Sequence, residues 1–420
     1  MRILFLTQFY PPEPVGRQHH LATELVARGH SVTVITGFPN YPQGRIYPGY
    51  RQALRQVERL DGIKIVRLPL YPDHSRSVLR RSLHYLSFAV SAAFLGPLLS
   101  GPADVMWVYS PPLTVGVSAC CLGWWRHVPF VYEIQDIWPD TVLASGMVTK
   151  GLGTRCLGGL GSFVYRQSAA ITVISPGFKR NLISKGVRAE KVHVIPNWAD
   201  GTIYRPQVRD PDLGEAFGLT GRLNIMFAGN MGPAQGLETV LQAAALLRED
   251  ASIQLVLIGD GISLPALKAE AERMRLPNVR FIGRQPAARM PQFYAWADAL
   301  LVHLRDDPLF HITIPSKTLA YLGCGRPILC AVGGDGADVV REASAGVVCP
   351  PGNADALAQA IRQFCRLSVE QREALGACGR SAFLNHYSRS RLIDQYEDLF
   401  QRVARQPADG KVTPKERNAA

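Results

Sequence analysis

Several large functional classes are excluded by what this sequence lacks. Its eight cysteines are scattered, with Cys120 and Cys121 adjacent and no C-x-x-C pair, so neither a disulfide framework nor a zinc site is expected and a reduced, cytoplasmic compartment is the simpler assignment. The apolar run at the start, 3–6, is too short for a signal-peptide core and suits a first β-strand. Charged residues make up only 19% of the chain, and acidic ones are short in the first half: residues 1–200 hold 21 Lys or Arg against 11 Asp or Glu, the remainder 25 against 23. A basic half suits an anionic membrane, an anionic small molecule or nucleic acid. No zinc-finger spacing, aromatic RNA-binding motif or helix-turn-helix signal accompanies it, which ranks nucleic acid last. The glycine loops match neither G-x-G-x-x-G nor G-x-x-x-x-G-K-[ST], which argues against a nicotinamide oxidoreductase and a P-loop enzyme.

What is present is α/β alternation over 420 residues, too long for one ordinary core. The spacing predicts strand 3–7, helix 18–28 ended by Gly29, and strand 31–36, a βαβ unit and hence a parallel sheet. Residues 37–62, rich in Pro, Tyr and Gly, read as a long loop that either contacts a ligand or serves as a lid, and 63–69 as a strand. Strands follow at 104–109, 129–134 and 169–175, and in the second half near 224, 253, 278, 297, 326 and 345. The organisation expected is a first Rossmann-like domain (1–200), a second Rossmann-like domain (201–387), a closing helix (388–405) and a disordered tail (406–420).

Segment 75–99 carries Arg76, Arg80 and Arg81 ahead of an apolar run interrupted by His84, Ser87, Ser91 and Gly96-Pro97. It reads as shorter and more broken than a membrane-spanning helix requires. An interfacial helix whose arginines meet anionic headgroups is favoured, with a plain core helix as the rival.

The stretch 224–247, NIMFAGNMGPAQGLETVLQAAALL, reads as strand, glycine loop and amphipathic helix. Free backbone amides at a helix start hold anions, and Gly232 lets a phosphate approach the main chain; plain turn geometry is the alternative. Gly16 at the entry to the first helix admits the same two readings. Asp136 in QDIWPD follows a parallel strand, where such sheets bind ligands; it serves equally as a helix cap or loop carboxylate.

The ordered set of the loop Pro11 to Gly16, QDIWPD (135–140), ISPGFKRNL (174–182), VIPNWAD (194–200), AGNMGPAQGLETV (228–240), LIGDG (257–261), NVRFIGRQP (278–286) and IPSKTLAYLGCGRPIL (314–329) resembles glycosyltransferase family 4, in its bacterial WbuB and WcaI type of capsule, O-antigen and colanic-acid transferases. The resemblance implies a GT-B fold: two Rossmann-like doubly wound domains across a cleft, with a C-terminal helix crossing back. It implies retaining transfer from a nucleotide-diphosphate sugar, UDP first among nucleotides, to a saccharide acceptor expected to be lipid-linked, with no metal and no cofactor. The protein would work in lipopolysaccharide or exopolysaccharide assembly, peripherally on the cytoplasmic face of the inner membrane.

Position by position, Gly16 and Gly232 would offer amides to the diphosphate, and Gly283 and Arg284 would lie by the base. Pro315, Ser316, Lys317 and Thr318 open a helix where the Lys317 ammonium would neutralise phosphate, a solvated lysine being the plainer reading. Asp136 would face donor sugar or acceptor, and Arg76, Arg80 and Arg81 the acceptor and membrane side. Asn230 and Gln235 stand where relatives carry basic residues, Gln135 where they carry a histidine, and Ile312 and Ala320 where they carry a Glu-x7-Glu pair. That last departure keeps open a catalytically silent carbohydrate-binding or assembly partner.

Overall fold

The computed structural model describes residues 1–75, 77–138, 140 and 151–405. Arg76 and the expected tail 406–420 lie outside the described residues. The chain forms two compact units. One comprises 1–174, 178–195 and the chain from Ile393 onward; the other comprises 175–177 and 196–392.

In the first unit the strands are β1 (Arg2–Leu6), β2 (Ser31–Gly37), β3 (Gln56–Leu60), β4 (Ile63–Leu68), β5 (Val105–Ser110), β6 (Phe130–Ile134), β7 (Ala170–Val173) and β8 (Val192–Val194), ordered β3-β4-β2-β1-β5-β6-β7-β8. All pairs are parallel except β3 with β4. The central strands are almost wholly buried and mostly apolar, as a sheet covered on both faces requires.

β3 is a correction to the loop expected at 37–62. Its residues QVERL are mostly exposed and charged, so no apolar run marks it. Asp61 and Gly62, with φ of 50° and 78°, make the left-handed two-residue turn that folds β3 back on β4. The Asp-Gly pair was the available signal.

Helix α1 (Arg17–Ala27) joins β1 to β2, α2 (Val78–Leu99) joins β4 to β5, α3 (Thr114–Arg126) joins β5 to β6, and α4 (Leu152–Gln167) precedes β7. The expectation of a run too short and broken to span is corrected: the interruptions at His84, Ser87, Ser91 and Gly96-Pro97 do not break the helix, and α2 runs for 22 residues. Pro97 stands in the last helical turn, so the one i→i−4 bond it cannot donate is lost at the helix end, and the missing side chain of Gly96 lets Leu122 of α3 pack close. By length and apolar content α2 is able to cross a membrane, although a third of its most apolar stretch is buried against the rest of the unit.

The second unit holds β9 (Leu223–Asn230), β10 (Ile253–Asp260), β11 (Val279–Ile282), β12 (Ala299–His303), β13 (Ile328–Ala331) and β14 (Gly346–Val348), all parallel, in the order β11-β10-β9-β12-β13-β14. Alternate residues of β9 feed two cores: Ile225 and Phe227 pack on one face, Met226 and Ala228 on the other. Helix α5 (Leu237–Leu246) follows β9, and α6 (Ser316–Gly323) lies between β12 and β13.

Candidate functional site

In the second sheet β10 lies on one side of β9 and β12 on the other, so the strand order reverses there and a crevice opens at the carboxyl ends. Gly229 and Gly259 face each other in register at that end, each with φ of 141°. A Cβ on Gly259 would fall 2.0 Å from the Gly229 carbonyl oxygen, so only glycine lets the strands close in this way.

Helix α6 delivers Lys317 to this crevice. Its Nζ lies 3.7 Å from the centroid of the buried Phe227 ring, and a Cβ on Gly229 would come within 3.1 Å of it. The ammonium is buried with no hydrogen-bond partner among the described residues, and burial lowers its pKa from 10.5 to about 7. The neighbouring Thr318 hydroxyl is also buried and without a partner among them. Native proteins rarely leave such groups unmatched, and here both stand at a helix N-terminus, which favours negative charge.

The second unit also carries most of the other residues expected on the donor side. Pro315 is the N-cap of α6 and Ser316 is exposed on its first turn. The Gly232 N–H donates to Gln235 Oε1 at 3.1 Å, so it turns to a ligand only when that bond opens. The exposed Asn230 reaches over Gly232. Gly283 and Arg284 are exposed just past β11, two strands from the switch point. Ile312 is half-buried and Ala320 lies in the apolar core.

Two residues here escaped the sequence reading. His303 ends β12 with Nδ1 at 2.6 Å from the Gln235 carbonyl, while Nε2 is buried and unmatched among the described residues. Burial lowers its pKa, with the Lys317 charge acting in the same direction, so the ring is neutral near pH 7. Arg305 follows, its amide bonded to the Ala234 carbonyl at 3.0 Å. A cavity of about 400 Å³ beside α5 is lined by Arg305 but also by Glu238 and Asp306, a mixed charge unsuited to an anion. The signal for both residues was their place at the end of an apolar strand.

In the first unit the order reverses between β1 and β5. Gly16 is the exposed N-cap of α1 in the loop after β1. Buried Glu13 accepts from the amides of Tyr10, Asn40 and Tyr41 at 2.8–3.0 Å, joining that loop to the one after β2. Asp136 is half-buried two residues past β6, and burial raises its pKa. Glu133, hidden in the apolar strand FVYEI, accepts from Arg17 Nε (3.0 Å), Trp107 Nε1 (3.0 Å), Gln135 Nε2 (2.6 Å) and the Tyr396 hydroxyl (2.5 Å). This carboxylate ties the start of α1, the strand leading to Asp136 and the C-terminal helix Arg389–Ala404 together.

Arg80 is exposed in the first turn of α2; Arg81 donates from Nη2 to the Tyr85 hydroxyl at 3.0 Å. The Tyr85 ring meets Trp138 edge-on at 6.2 Å, so the arginine end of α2 adjoins the Asp136 loop. Gly16, Asp136, Arg80 and Arg81 thus belong to the first unit and the remaining predicted donor residues to the second. Among the described residues no three His, Cys, Asp or Glu side chains gather as a metal-binding group.

Residues 15–198 match the Glycosyl transferase 4-like domain and residues 222–366 match Glycosyl transferases group 1. The chain is 30% identical over 384 residues to the putative colanic acid biosynthesis glycosyl transferase WcaI of Escherichia coli, covering 86% of this chain and 92% of that one. To the probable glycosyltransferase WbjE of Pseudomonas aeruginosa it is 27% identical over 263 residues, 62% of this chain and 64% of that one. Among solved structures, Anabaena Alr3699/HepE in complex with UDP superposes with a TM-score of 0.70 at 16% identity, covering 96% of this chain and all of that one. Sucrose-phosphate synthase from Thermosynechococcus elongatus gives 0.71 at 17% identity, over 96% and 98%.

Proposed function

This chain belongs to glycosyltransferase family 4 and has the GT-B fold of two Rossmann-like units, and we propose that it is a retaining transferase that moves a sugar from a nucleotide-diphosphate donor to a lipid-linked saccharide. The proposed setting is surface-polysaccharide assembly, O-antigen, capsule or exopolysaccharide, at the cytoplasmic face of the inner membrane. Its relative WcaI is named for colanic acid biosynthesis.

The observation that carries the reading is the unmatched Lys317 ammonium beside Gly229, on the first turn of α6. In the transfer the bond from the anomeric carbon to the donor phosphate breaks, and one to the acceptor oxygen forms on the same face. The acceptor proton passes to the departing phosphate oxygen. Negative charge grows on the diphosphate, and a desolvated ammonium with helix amides stabilises that charge more strongly than water would. Lys317 supplies the cation that Asn230 and Gln235 do not. UDP is the nucleotide proposed, in keeping with the HepE complex. Asp136, held above the ordinary carboxylate pKa by burial, orients the acceptor or the donor sugar.

Calorimetric titration with UDP, GDP, ADP and dTDP, in magnesium and in EDTA, tests this. Selective binding of one nucleotide, retained in EDTA, is expected. Absence of binding at millimolar nucleotide would overturn the reading and favour the silent binding partner for which Ile312 and Ala320 speak.

A further inference from the structure

The outer face of α2 is apolar and uncovered. Leu79, Leu83, Leu86, Val90, Phe94 and Leu98 recur every three or four residues, on one stripe of the helix, and are 50–80% exposed. Over 1.5 Å per residue the stripe runs for about 29 Å. A contiguous exposed apolar surface of this length marks a contact site.

The opposite face of α2 is committed to the unit. His84 is buried, with Nε2 at 2.9 Å from Gln8 Nε2 and Nδ1 at 2.7 Å from the Tyr71 carbonyl. Ser91 donates to the Pro69 carbonyl at 2.6 Å, and Ser118 of α3 donates to the Ala89 carbonyl at 2.8 Å. A helix bonded along one side in this way offers only its outer half to a partner.

Helix α3 lies alongside in the same direction. Thr114 donates to the carbonyl of Tyr85, Ser118 to that of Ala89 and Arg126 to that of Gly101. This register sets the exposed Trp124 and Trp125 beside the Leu98 end of the stripe, while Arg80 and Arg81 stand at the Leu79 end. Between Asp73 and Glu133 the sequence has one acidic residue, Asp104, and that carboxylate is bonded to the amide and guanidinium of Arg2.

We infer that the α2 outer face and the Trp124–Trp125 corner form an in-plane docking surface for an anionic phospholipid monolayer. Apolar side chains enter the acyl boundary, tryptophans sit at headgroup depth, and the arginines meet the phosphates. Charge selects this occupant over a second copy of the chain. A two-fold contact would lay the same apolar, arginine-led patch on itself, like charge against like, whereas an anionic monolayer meets both parts of it. The inference deepens the membrane-surface reading above and rests on it: the face that would lie on lipid begins at the arginines adjoining the Asp136 loop.

The full chain is sedimented with vesicles of phosphatidylethanolamine and phosphatidylglycerol, or of phosphatidylcholine alone. Binding to the anionic vesicles is expected to be at least ~10-fold tighter. The double variant Leu86→Asp/Phe94→Asp, both sites exposed, should weaken it roughly 100-fold, and Arg80→Gln/Arg81→Gln about 10-fold, the latter only at low salt. Tryptophan fluorescence should shift to the blue on the anionic vesicles and be quenched by brominated acyl chains, and both changes should shrink in Trp124→Phe/Trp125→Phe. Wild-type affinity in the Leu86→Asp/Phe94→Asp variant would overturn the inference, as would a wild-type dimer that the same variant dissociates. Vesicle binding that persists in a protein unable to bind any nucleotide upholds the surface and removes only the transferase reading.

Discussion

Lys317 Nζ lies 3.7 Å from the centre of the Phe227 ring, and this ring face packs on a buried ammonium that has no hydrogen-bond partner among the described residues, at the switch point of the second sheet. The ring's quadrupole offsets part of the desolvation cost and leaves the rest for an anion to relieve.

Nucleotide binding should therefore take up a proton. The free ammonium titrates at about 7, and a diphosphate beside it restores the charge. Above pH 7 affinity is expected to fall by up to about tenfold per pH unit, and calorimetry in buffers of different ionisation enthalpy should show uptake of up to one proton per site. Lys317→Met should abolish the uptake and weaken binding at neutral pH by roughly 10–100-fold.

The same variant should be more stable than the wild type, with a sign that follows from the shift. Below pH 7 folded and unfolded chains both carry the charge, and the full cost of burying it is present. As pH rises from about 7 towards 10.5 the unfolded chain holds more protons, so wild-type stability climbs. Lys317→Met should remove that climb and raise the Tm, most clearly at pH 6.

Gly229→Ala should lose nucleotide affinity more than stability. The backbone there has φ of 141°, which costs an alanine roughly 1–3 kcal/mol, and the new methyl would crowd Lys317 Nζ. Gly259→Ala, whose Cβ would meet backbone instead of a movable side chain, should fail to fold; thermal unfolding and titration together separate the two.

Glu133→Ala should destabilise the first unit by roughly 3–5 kcal/mol, because it takes the carboxylate at 3.0 Å from the buried Arg17 guanidinium. Tyr396→Phe should cost about 1–3 kcal/mol by leaving the buried carboxylate short of its 2.5 Å donor. Denaturant midpoints measure both, and proteolysis of the Arg389–Ala404 helix should quicken in each.

Asp136→Asn should keep the Tm and the nucleotide affinity while transfer falls by roughly 100–1000-fold. Burial raises the Asp136 pKa, so wild-type activity should climb as pH rises through that raised value. A pH profile that keeps this limb in the Asn variant would assign it to another group.

The α/β alternation, the family and the glycine loop were legible because apolar periodicity and turn residues are local properties of the chain. β3 was missed because an exposed edge strand needs no apolar run, and the Asp61-Gly62 turn alone announced it. The segment 75–99 showed its arginines and its interruptions, but those interruptions proved to be inward contacts of an unbroken helix. Lys317 stood in the sequence as a lysine at a helix start; that its ammonium is buried and unmatched follows from Phe227 and Gly229, some ninety residues away. The same holds for Glu133, whose donors come from α1, β5 and the C-terminal helix. Local order is written in neighbouring residues, whereas burial and charge pairing depend on which distant segments the sheet brings side by side, and that is settled only when the chain has packed.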